Sequence, residues 1–360
     1  MYKILHEGDV TRPTERNLMC SGSRTARLSD GRYICVYNAE SASGVNDFVP
    51  MVTYSDDGLN WEESRELWPE LVSTKSISVS VRNTDNGGVS ICGWATDIAY
   101  EGELWWSDEK SAMKENQLVF TVSDDGYNFP PLKWLDLPYY GAAEIPGGMH
   151  VDLDGTITIV YSPYSTIEGR DVTDTNCLVR MVSRDGGETF ESSKIAVVDG
   201  DSLYAETWVA ALPSGAKMIT TWQTASQSEP DQYLYAHDGV TFNGPFALPF
   251  RGQSTALTVL PDGRVMIAYN QRKESPIGVW LAVARPDETG LNLIENAPLW
   301  VAENGTRGAS SGDFGDWTSF SFGEPHVLRM NDGTFLLVFW RAKDGVNGIG
   351  YLHFAYVDDN

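Results

Sequence analysis

Six short glycine turns, each lying between two β-rich runs, divide this chain at nearly regular intervals. The turn LSDG at 28–31 recurs as DLDG at 152–155, LPSG at 212–215, LPDG at 260–263 and MNDG at 330–333, with a looser version, NTDNGG, at 83–88. Apolar residues alternate on both sides of each turn, which is the pattern of a β-hairpin. The turn glycines, at 31, 88, 155, 215, 263 and 333, are 57, 67, 60, 48 and 70 residues apart. The chain is therefore built from six units of about sixty residues.

A second motif recurs between these hairpins, as YSDDGLNW at 54–61, VSDDGYNF at 122–129, VSRDGGETF at 182–190 and a worn copy, YAHDGVTF, at 235–242. Serine and aspartate side chains in such a loop hydrogen-bond the backbone of their own turn, and glycine supplies a positive φ. A calcium site needs a denser set of oxygen ligands, and a catalytic group would occur once, not in every copy. The motif is therefore interpreted as structural. Its key positions are Ser55, Asp57, Gly58 and Trp61; Ser123, Asp125, Gly126 and Phe129; and Ser183, Asp185, Gly187 and Phe190.

Regular β units without amphipathic helical stretches are typical of a β-propeller. The sequence predicts an all-β, single-domain, six-bladed propeller over 1–360 with four-stranded antiparallel blades. The predicted blades span approximately 15–70, 71–135, 136–198, 199–248, 249–303 and 304–358. Residues 2–6 are expected to complete the last blade, because closing the ring hides its open edge. A short helix is expected only at 109–116.

Charge and hydropathy exclude several classes of function. The net charge of −24 disfavours binding to nucleic acid or to an anionic membrane, which requires Lys and Arg to neutralise phosphates. No apolar run is long enough to insert into a membrane. The first residues lack the apolar core of a signal peptide, so we expect a cytoplasmic protein or, if a leader has been removed, a secreted or periplasmic one.

The cysteines and histidines suggest neither a metal nor a cofactor. The four cysteines are widely spaced, which favours free thiols, although a Cys20–Cys35 disulfide stays open. No clustered Cys/His pattern suggests zinc, and no phosphate-binding glycine loop is present. His150 is most simply a polar inner-strand residue.

Candidate site residues follow from the hairpin register, because the innermost strand of each blade precedes the glycine turn and faces the central channel. Counting back nine residues from the turn glycine gives Glu206 and Glu324, and counting back seven gives Arg24. Glu144 lies close to the same place in its blade, and Asp47 follows the first hairpin. Glycoside hydrolysis needs a proton donor and a second carboxylate, which these acids would supply. Further candidates for binding a sugar are His326, Trp208 and Trp222.

The motif at 182–190 fits the Asp box, S-x-D-x-G-x-T-W/F, and the chain resembles the sialidase (neuraminidase) and BNR-repeat superfamily over essentially its whole length. Sialidases use a glutamate to activate a nucleophilic tyrosine, an aspartate as acid/base and three arginines that hold the carboxylate of the sugar. The resemblance implies the glutamate role for Glu206 and the aspartate role for Asp47. It implies the first arginine for Arg24 and the third for Arg272.

The chain departs from the sialidase pattern at two places. Trp222 follows the Glu206 strand where an arginine is expected, and Glu324 and His326 precede the last hairpin where the tyrosine is expected. The leading hypothesis is a sialidase-like glycoside hydrolase that acts on a terminal sugar, acidic sugars included, with Glu206 and either Glu324 or Asp47. Two alternatives stay open: a true exo-sialidase with relocated arginines, and a non-catalytic carbohydrate-binding propeller.

Overall fold

A computed structural model describes residues 1–12, 18–139, 141–169, 176–197, 204–223, 230–287, 290–302 and 320–357, except for the side chain of Gln223. Its strands form six antiparallel sheets arranged as the blades of a propeller, which confirms the predicted fold class. Each inner strand packs against the inner strands of the neighbouring blades, and the last blade contacts the first. Among the described residues, no helix is long and apolar enough to span a membrane.

The strands of the first three blades, from the channel outward, are as follows. Blade 1 contains β2 (Met19–Arg27), β3 (Tyr33–Glu40), β4 (Val49–Ser55) and β5 (Arg65–Glu66). Blade 2 contains β6 (Lys75–Asn83), β7 (Val89–Asp97), β10 (Gln117–Ser123) and β11 (Lys133–Leu135). Blade 3 has its inner strand in two pieces, β12 (Ala142–Glu144) and β13 (Met149–Val151), followed by β14 (Ile157–Tyr164), β15 (Cys177–Ser183) and β16 (Glu191–Val197).

The remaining blades repeat this order. Blade 4 contains β17 (Tyr204–Ala211), β18 (Lys217–Gln223), β19 (Gln232–Ala236) and β20 (Asn243–Ala247). Blade 5 contains β21 (Gln253–Val259), β22 (Val265–Gln271), β23 (Gly278–Pro286) and β24 (Leu291–Val301). Blade 6 contains β25 (Phe322–Arg329), β26 (Phe335–Lys343) and β27 (Val346–Tyr356), with β1 (Tyr2–Thr11) as its outermost strand. Because the first and last strands pair from Tyr2–Tyr356 to Thr11–Ile349, the two ends of the chain close the ring.

The expected short helix at 109–116 is wrong. That segment lies in the β7–β10 connection and contains β9 (Ala112–Met113), which pairs with β8 (Trp106–Ser107). Trp106 and Met113 are buried in an aromatic cluster together with Trp94 and Tyr164. Burial of these side chains against the propeller outweighs the weak local helical tendency of an eight-residue segment.

Buried apolar residues form a separate cluster at every interface between successive blades. There are six such clusters, one for each interface. In order from the interface of blades 1 and 2 to that of blades 6 and 1, they contain Ile91, Phe120, Val209, Tyr269, Phe339 and Tyr351. Alternation along each central strand turns one set of side chains toward each neighbour, so both faces of a blade are buried. All four cysteines are buried and free.

The four repeated loops connect the third and fourth strands of blades 1 to 4, on the outer side of the propeller. In the second copy the N–H groups of Tyr127 and Asn128 each donate to Asp125 Oδ1 at 2.8 Å, and the N–H of Gly126 donates to Ser123 Oγ at 2.9 Å. Asp57 and Asp185 each accept two backbone N–H groups in the same way. The glycines Gly58, Gly126 and Gly187 have φ values of 74°, 73° and 85°. These aspartates therefore satisfy the backbone of their own turns.

Replacing Asp125 with alanine should lower the midpoint of thermal unfolding by ~1–3 °C, because two backbone N–H groups lose their acceptor on an exposed loop. The adjacent Asp124 is the matched control, since its exposed side chain has no hydrogen bond or ion pair among the described residues. Asp124→Ala should leave the midpoint unchanged in the same scanning calorimetry experiment. Equal shifts for the two variants would contradict the turn role of Asp125.

Candidate active site

Four inner strands carry a β-bulge at the same position, nine residues before the turn glycine. The bulge residues are Gly22, Glu206, Ser254 and Glu324, with φ values of 64°, 49°, 55° and 52°. Strand pairing shifts register at each of them. A bulge re-aims its side chain, and a positive φ is costly for residues other than glycine, so such positions concentrate at functional sites. The fold therefore holds two glutamates and a serine in strained backbone at one level of the channel.

Three carboxyl groups meet at this level. One oxygen from each of Glu144, Glu206 and Glu324 lies within 4.8 Å of the others. Glu144 ends β12 and precedes Pro146, Gly147 and Gly148, where the inner strand of blade 3 is interrupted. This interruption replaces the bulge of the other blades and delivers a third acid to the channel.

The bulge residues also hold one another in place. Ser254 Oγ lies 2.8 Å from both carboxylate oxygens of Glu206, and the backbone N–H of Gly22 donates to Glu324 Oε2. Each contact joins the inner strands of two adjacent blades. The orientation of both glutamates therefore depends on closure of the ring, with Ser254 as a positioning residue for Glu206.

Burial and mutual repulsion raise the pKa of two of these acids, Glu144 and Glu206. Burial is the largest cause that raises the pKa of Glu144 well above its ordinary value, and the nearby Glu206 and Glu324 raise it further. Burial and then Glu324 also raise the pKa of Glu206, against the opposing effects of Ser254, Arg272 and Arg24. Like charges this close do not all ionise together. The cluster is therefore suited to donate a proton at a pH where an exposed carboxyl group is already ionised.

Two buried arginines supply the compensating positive charge. Arg24 Nη1 donates to the backbone oxygens of Ser23 at 2.8 Å and Glu324 at 2.7 Å. Arg272 Nη1 donates to Gln253 Oε1 and its Nη2 to the backbone oxygen of Phe322 at 2.6 Å. Burial lowers the pKa of Arg272 to about 10, so its guanidinium stays charged at neutral pH.

Aromatic side chains form the walls of the pocket above the acids. Phe48, Trp94 and Trp105 contact one another. The ring centroids of Phe48 and Trp94 are 5.5 Å apart, and those of Trp94 and Trp105 are 5.8 Å apart. Aromatic faces beside carboxyl groups are suited to stack against the C–H faces of a sugar ring. The residues that line the pocket are Met19, Ser21, Asn38, Glu40, Ser43, Phe48, Ser78, Trp94, Trp105, Glu144, Glu206, Trp222, Gln253, Ser254, Arg272, Phe320, Glu324 and Trp340.

The structure places three of the sequence-derived candidates elsewhere. Asp47 does not line the pocket; its Oδ1 accepts the backbone N–H of Ser41 at 3.1 Å. Trp208 and His326 stack on each other with centroids 5.2 Å apart, and they line the opposite mouth of the channel. Each lies two residues beyond a bulge glutamate, and two residues advance about 6.6 Å along a strand. Their side chains therefore lie a full level below the acids.

The opposite mouth is the wider of the two, with a volume of about 810 Å³, and it is surrounded by the glycine turns. Its main titratable group is His150, whose Nε2 lies 3.2 Å from Asp85 Oδ2 and 3.3 Å from Asp152 Oδ1. Lys217 Nζ is 2.7 Å from the other oxygen of Asp152. These charges already satisfy one another, whereas the three glutamates converge at the narrower mouth.

In the part of the chain that the structure describes, two groups of side chains have the spacing of metal ligands. One is Asp85, His150 and Asp152; the other is the glutamate cluster of the pocket. Carboxylate oxygens suit hard cations, but Lys217 at the first group and the two buried arginines at the second already provide positive charge. Neither group therefore requires an ion to balance its charge.

A nucleophilic tyrosine is not among the described residues that line the pocket. Burial raises the pKa of Tyr164, and the nearby Glu144 and Glu206 raise it further, but Tyr164 is 1% exposed and lies outside the lining.

Solved structures with the same architecture share little sequence with this chain. A protein of unknown function from Dyadobacter fermentans has a TM-score of 0.74 at 14% identity, with 99% of each chain covered. The Hadza microbial sialidase Hz136 has a TM-score of 0.65 at 13% identity, covering 95% of this chain and 66% of its own. The GH93 alpha-L-arabinofuranosidase of Fusarium graminearum, in complex with arabinobiose, has a TM-score of 0.63 at 14% identity, with 97% of each covered. The fold is sialidase-like.

No protein-family model matches the sequence, and no curated protein sequence matches it. At identities of 13–14% the likeness to solved structures establishes the fold alone.

Several pocket residues were not predicted from the sequence. Ser254 and Gly22 share the nine-residue offset of Glu206 and Glu324 from their turn glycines, so the signal that identifies them is present in the sequence. Glu40, Gln253 and Trp340 also line the pocket, but none of them lies at this offset before a turn glycine.

Proposed function

We propose that this protein is a glycoside hydrolase that removes a terminal sugar from a glycan. The observation that carries the proposal is the convergence of Glu144, Glu206 and Glu324 in an aromatic-lined pocket at one mouth of the channel. Sialidases and an arabinofuranosidase among proteins of the same fold support it. A pocket at one mouth of the channel, with Phe48 and Trp222 in its lining, suits the end of a glycan better than its middle.

The proposed division of labour follows from the surroundings of each acid. Glu206, whose pKa is raised by burial and by Glu324, donates a proton to the glycosidic oxygen as the bond to the sugar breaks. Glu324, whose carboxylate accepts the N–H of Gly22, faces the anomeric carbon as the second carboxylate. Burial, followed by the neighbouring Glu206 and Glu324, raises the pKa of Glu144, so Glu144 keeps a proton in the cluster.

The spacing of the acids favours retention of configuration. The carboxyl groups of a retaining pair stand about 5–5.5 Å apart, whereas an inverting pair stands about 6.5–9.5 Å apart to admit a water. Oxygens within 4.8 Å of one another are nearer to the retaining spacing than to the inverting one. Glu324 would therefore attack the anomeric carbon, and water would release the sugar from the glycosyl ester with Glu206 acting as base.

The test is a screen of the whole protein against aryl glycosides and natural glycans, with proton NMR of the first product. We expect release of a terminal sugar with its anomeric configuration retained. An inverted first product would contradict the pairing of Glu206 with Glu324. Binding of glycans without hydrolysis would favour a non-catalytic carbohydrate-binding propeller, which the aromatic walls would also serve.

Replacing Ser254 with alanine should move the alkaline limb of the kcat/KM profile to higher pH. Ser254 donates to Glu206 and lowers its pKa, so removing the hydroxyl raises the pKa of Glu206 further. An acid with a raised pKa stays protonated, and so active, up to a higher pH. At neutral pH the activity should fall less than about tenfold, the effect of one hydrogen bond.

Ser254→Gly is the matched control for backbone strain, because glycine relieves the φ of 55° and also lacks the hydroxyl. Both variants should move the alkaline limb in the same direction. A loss of kcat without a shift of the alkaline limb would show that Ser254 matters only for the backbone conformation. That result would contradict its role in positioning Glu206.

A further inference from the structure

We propose that the pocket is selective for an uncharged terminal sugar and rejects sugars that carry a carboxylate, a specificity that rests on the glycosidase proposal above. The inference comes from the charges that face the pocket and from what the arginines already bind. It separates this chain from the acidic-sugar specificity that its sialidase resemblance implies.

Carboxyl groups outnumber guanidinium groups in the pocket wall. Glu40, Glu144, Glu206 and Glu324 line it, whereas the described residues contribute Arg272 to the lining and Arg24 just beneath it. Burial and mutual repulsion already raise the pKa of Glu144 and Glu206, so a carboxylate on the ligand would place a further negative charge where the site disfavours one. In a buried site such like-charge contact is costly, since little water remains to screen it.

Both arginines donate hydrogen bonds to the protein through Nη groups, while the Nε of each has no partner among the described residues. Both Nη atoms of Arg272 donate to protein oxygens, and its guanidinium carbon lies 3.7 Å from the centre of the Phe320 ring. Arg24 is 1% exposed, gives Nη1 to two backbone carbonyls and faces all three glutamates of the cluster. Bidentate capture of a sugar carboxylate suits an open guanidinium fork, whereas each Nη of Arg272 already donates a hydrogen bond to the protein and Phe320 covers one face of the guanidinium group.

An aromatic ring occupies a place where the sialidase resemblance implies a cation. Trp222 follows the Glu206 strand at the position expected for the second arginine, and it lines the pocket at 8% exposed. Its indole presents an apolar face to a ligand, which suits the C–H face of a neutral ring. The aromatic walls thus favour stacking against a sugar ring. The carboxyl groups of the floor accept hydrogen bonds from its hydroxyls or donate hydrogen bonds to them.

The polar groups that remain available also suit hydroxyls. Burial is the largest cause that raises the pKa of Glu40 and of Glu144 well above their ordinary values, so both present O–H donors as well as acceptors. Protonated carboxyl groups hydrogen-bond a sugar hydroxyl in either direction. The geometry of the pocket therefore points to a polyhydroxylated, electrically neutral sugar as its ligand.

The experiment compares substrates that differ only in one carboxylate. The whole protein is assayed with matched pairs, 4-nitrophenyl glucosides and galactosides against the corresponding glucuronides and galacturonides, in both anomeric forms, together with an arabinofuranoside and a 4-methylumbelliferyl sialoside. We expect hydrolysis of at least one neutral glycoside, with kcat/KM at least about 100-fold above that of any acidic one. Comparable or faster turnover of a glucuronide, galacturonide or sialoside would overturn the inference while leaving the glycosidase proposal intact.

A binding measurement keeps the inference testable if no substrate is hydrolysed, which would instead count against the proposed reaction. The unmodified protein is applied to a glycan array that carries neutral and carboxylate-bearing termini. Binding confined to neutral termini supports the inference. Binding to sialylated or uronic-acid termini, or to no terminus at all, overturns it.

Discussion

Replacing Glu324 or Glu206 with glutamine should lower kcat for glycoside hydrolysis by at least about 10³-fold. Glutamine keeps the size of each side chain, but it neither donates the proton that Glu206 supplies nor carries the charge with which Glu324 faces the anomeric carbon. Each variant is assayed with whichever glycoside the screen identifies. A loss of less than about tenfold in both would contradict the assignment of the reacting pair.

Loss of activity in these variants should not come from unfolding. The pKa of Glu144 is raised in the folded protein by burial and by its acidic neighbours, so its contribution to stability is present at low pH and is lost as the pH rises through that pKa. Glutamine in place of any one of the three acids removes part of this repulsion. Thermal unfolding above neutral pH should therefore occur at an equal or higher temperature than in the wild type.

Asp47→Asn distinguishes the structural assignment from the one that the sialidase resemblance implies. Asp47 lies outside the lining of the pocket, and its carboxylate accepts a local N–H from Ser41. We expect this variant to keep most of its activity under the same assay. A loss as large as that of Glu324→Gln would restore Asp47 as the acid/base residue.

The spacing of the glycine turns predicts more of this protein than its composition does. One period specifies the number of blades, and one offset within the period identifies both Glu206 and Glu324. The same offset also reaches Ser254 and Gly22, whose partners lie 48 and 302 residues away along the chain. Contacts of this kind form only when the ring closes, so a repeat pattern alone does not reveal them.

The placement of Trp208 and His326 shows where register reasoning fails. Both stand on inner strands at even spacing from a bulge glutamate, and simple alternation would put them on the same side of the strand. They do face the channel, but a strand also advances along the channel axis, and the bulge changes the local pairing. The alternation pattern therefore predicts which side chains face the channel, but not the level along the channel axis at which they lie.

Replacing Trp208 with alanine should destabilise the protein by about 3–5 kcal/mol, the range for removing a fully buried large aromatic side chain. Trp208 is 1% exposed and stacks on His326 in the centre of the ring. The guanidinium carbon of Arg82 lies 4.5 Å from its ring centre, and that of Arg24 lies 5.4 Å away on the side toward the acids. Removing the indole therefore leaves a cavity between two buried cations.

The backbone of Gly147 packs directly against the ring of Trp208. Gly147 forms a parallel bridge with Trp208, and a Cβ atom on that glycine would lie 1.9 Å from the indole ring. Because backbone and ring meet so closely, neighbouring side chains have little freedom to fill the cavity in Trp208→Ala. The destabilisation should appear in denaturant unfolding as a lower midpoint.

Trp134→Ala is the matched control, since Trp134 lies on the outermost strand of blade 2 and is 37% exposed. Its ring contacts the ammonium group of Lys75 at 5.3 Å, so we expect a loss of about 1 kcal/mol or less. Similar midpoints for the two variants would mean that the centre of the ring contributes no more to stability than its edge. A larger effect at Trp208 would establish that the layer beneath the glutamates is a rigid support, and that the strained bulges above it are held in place by packing from below.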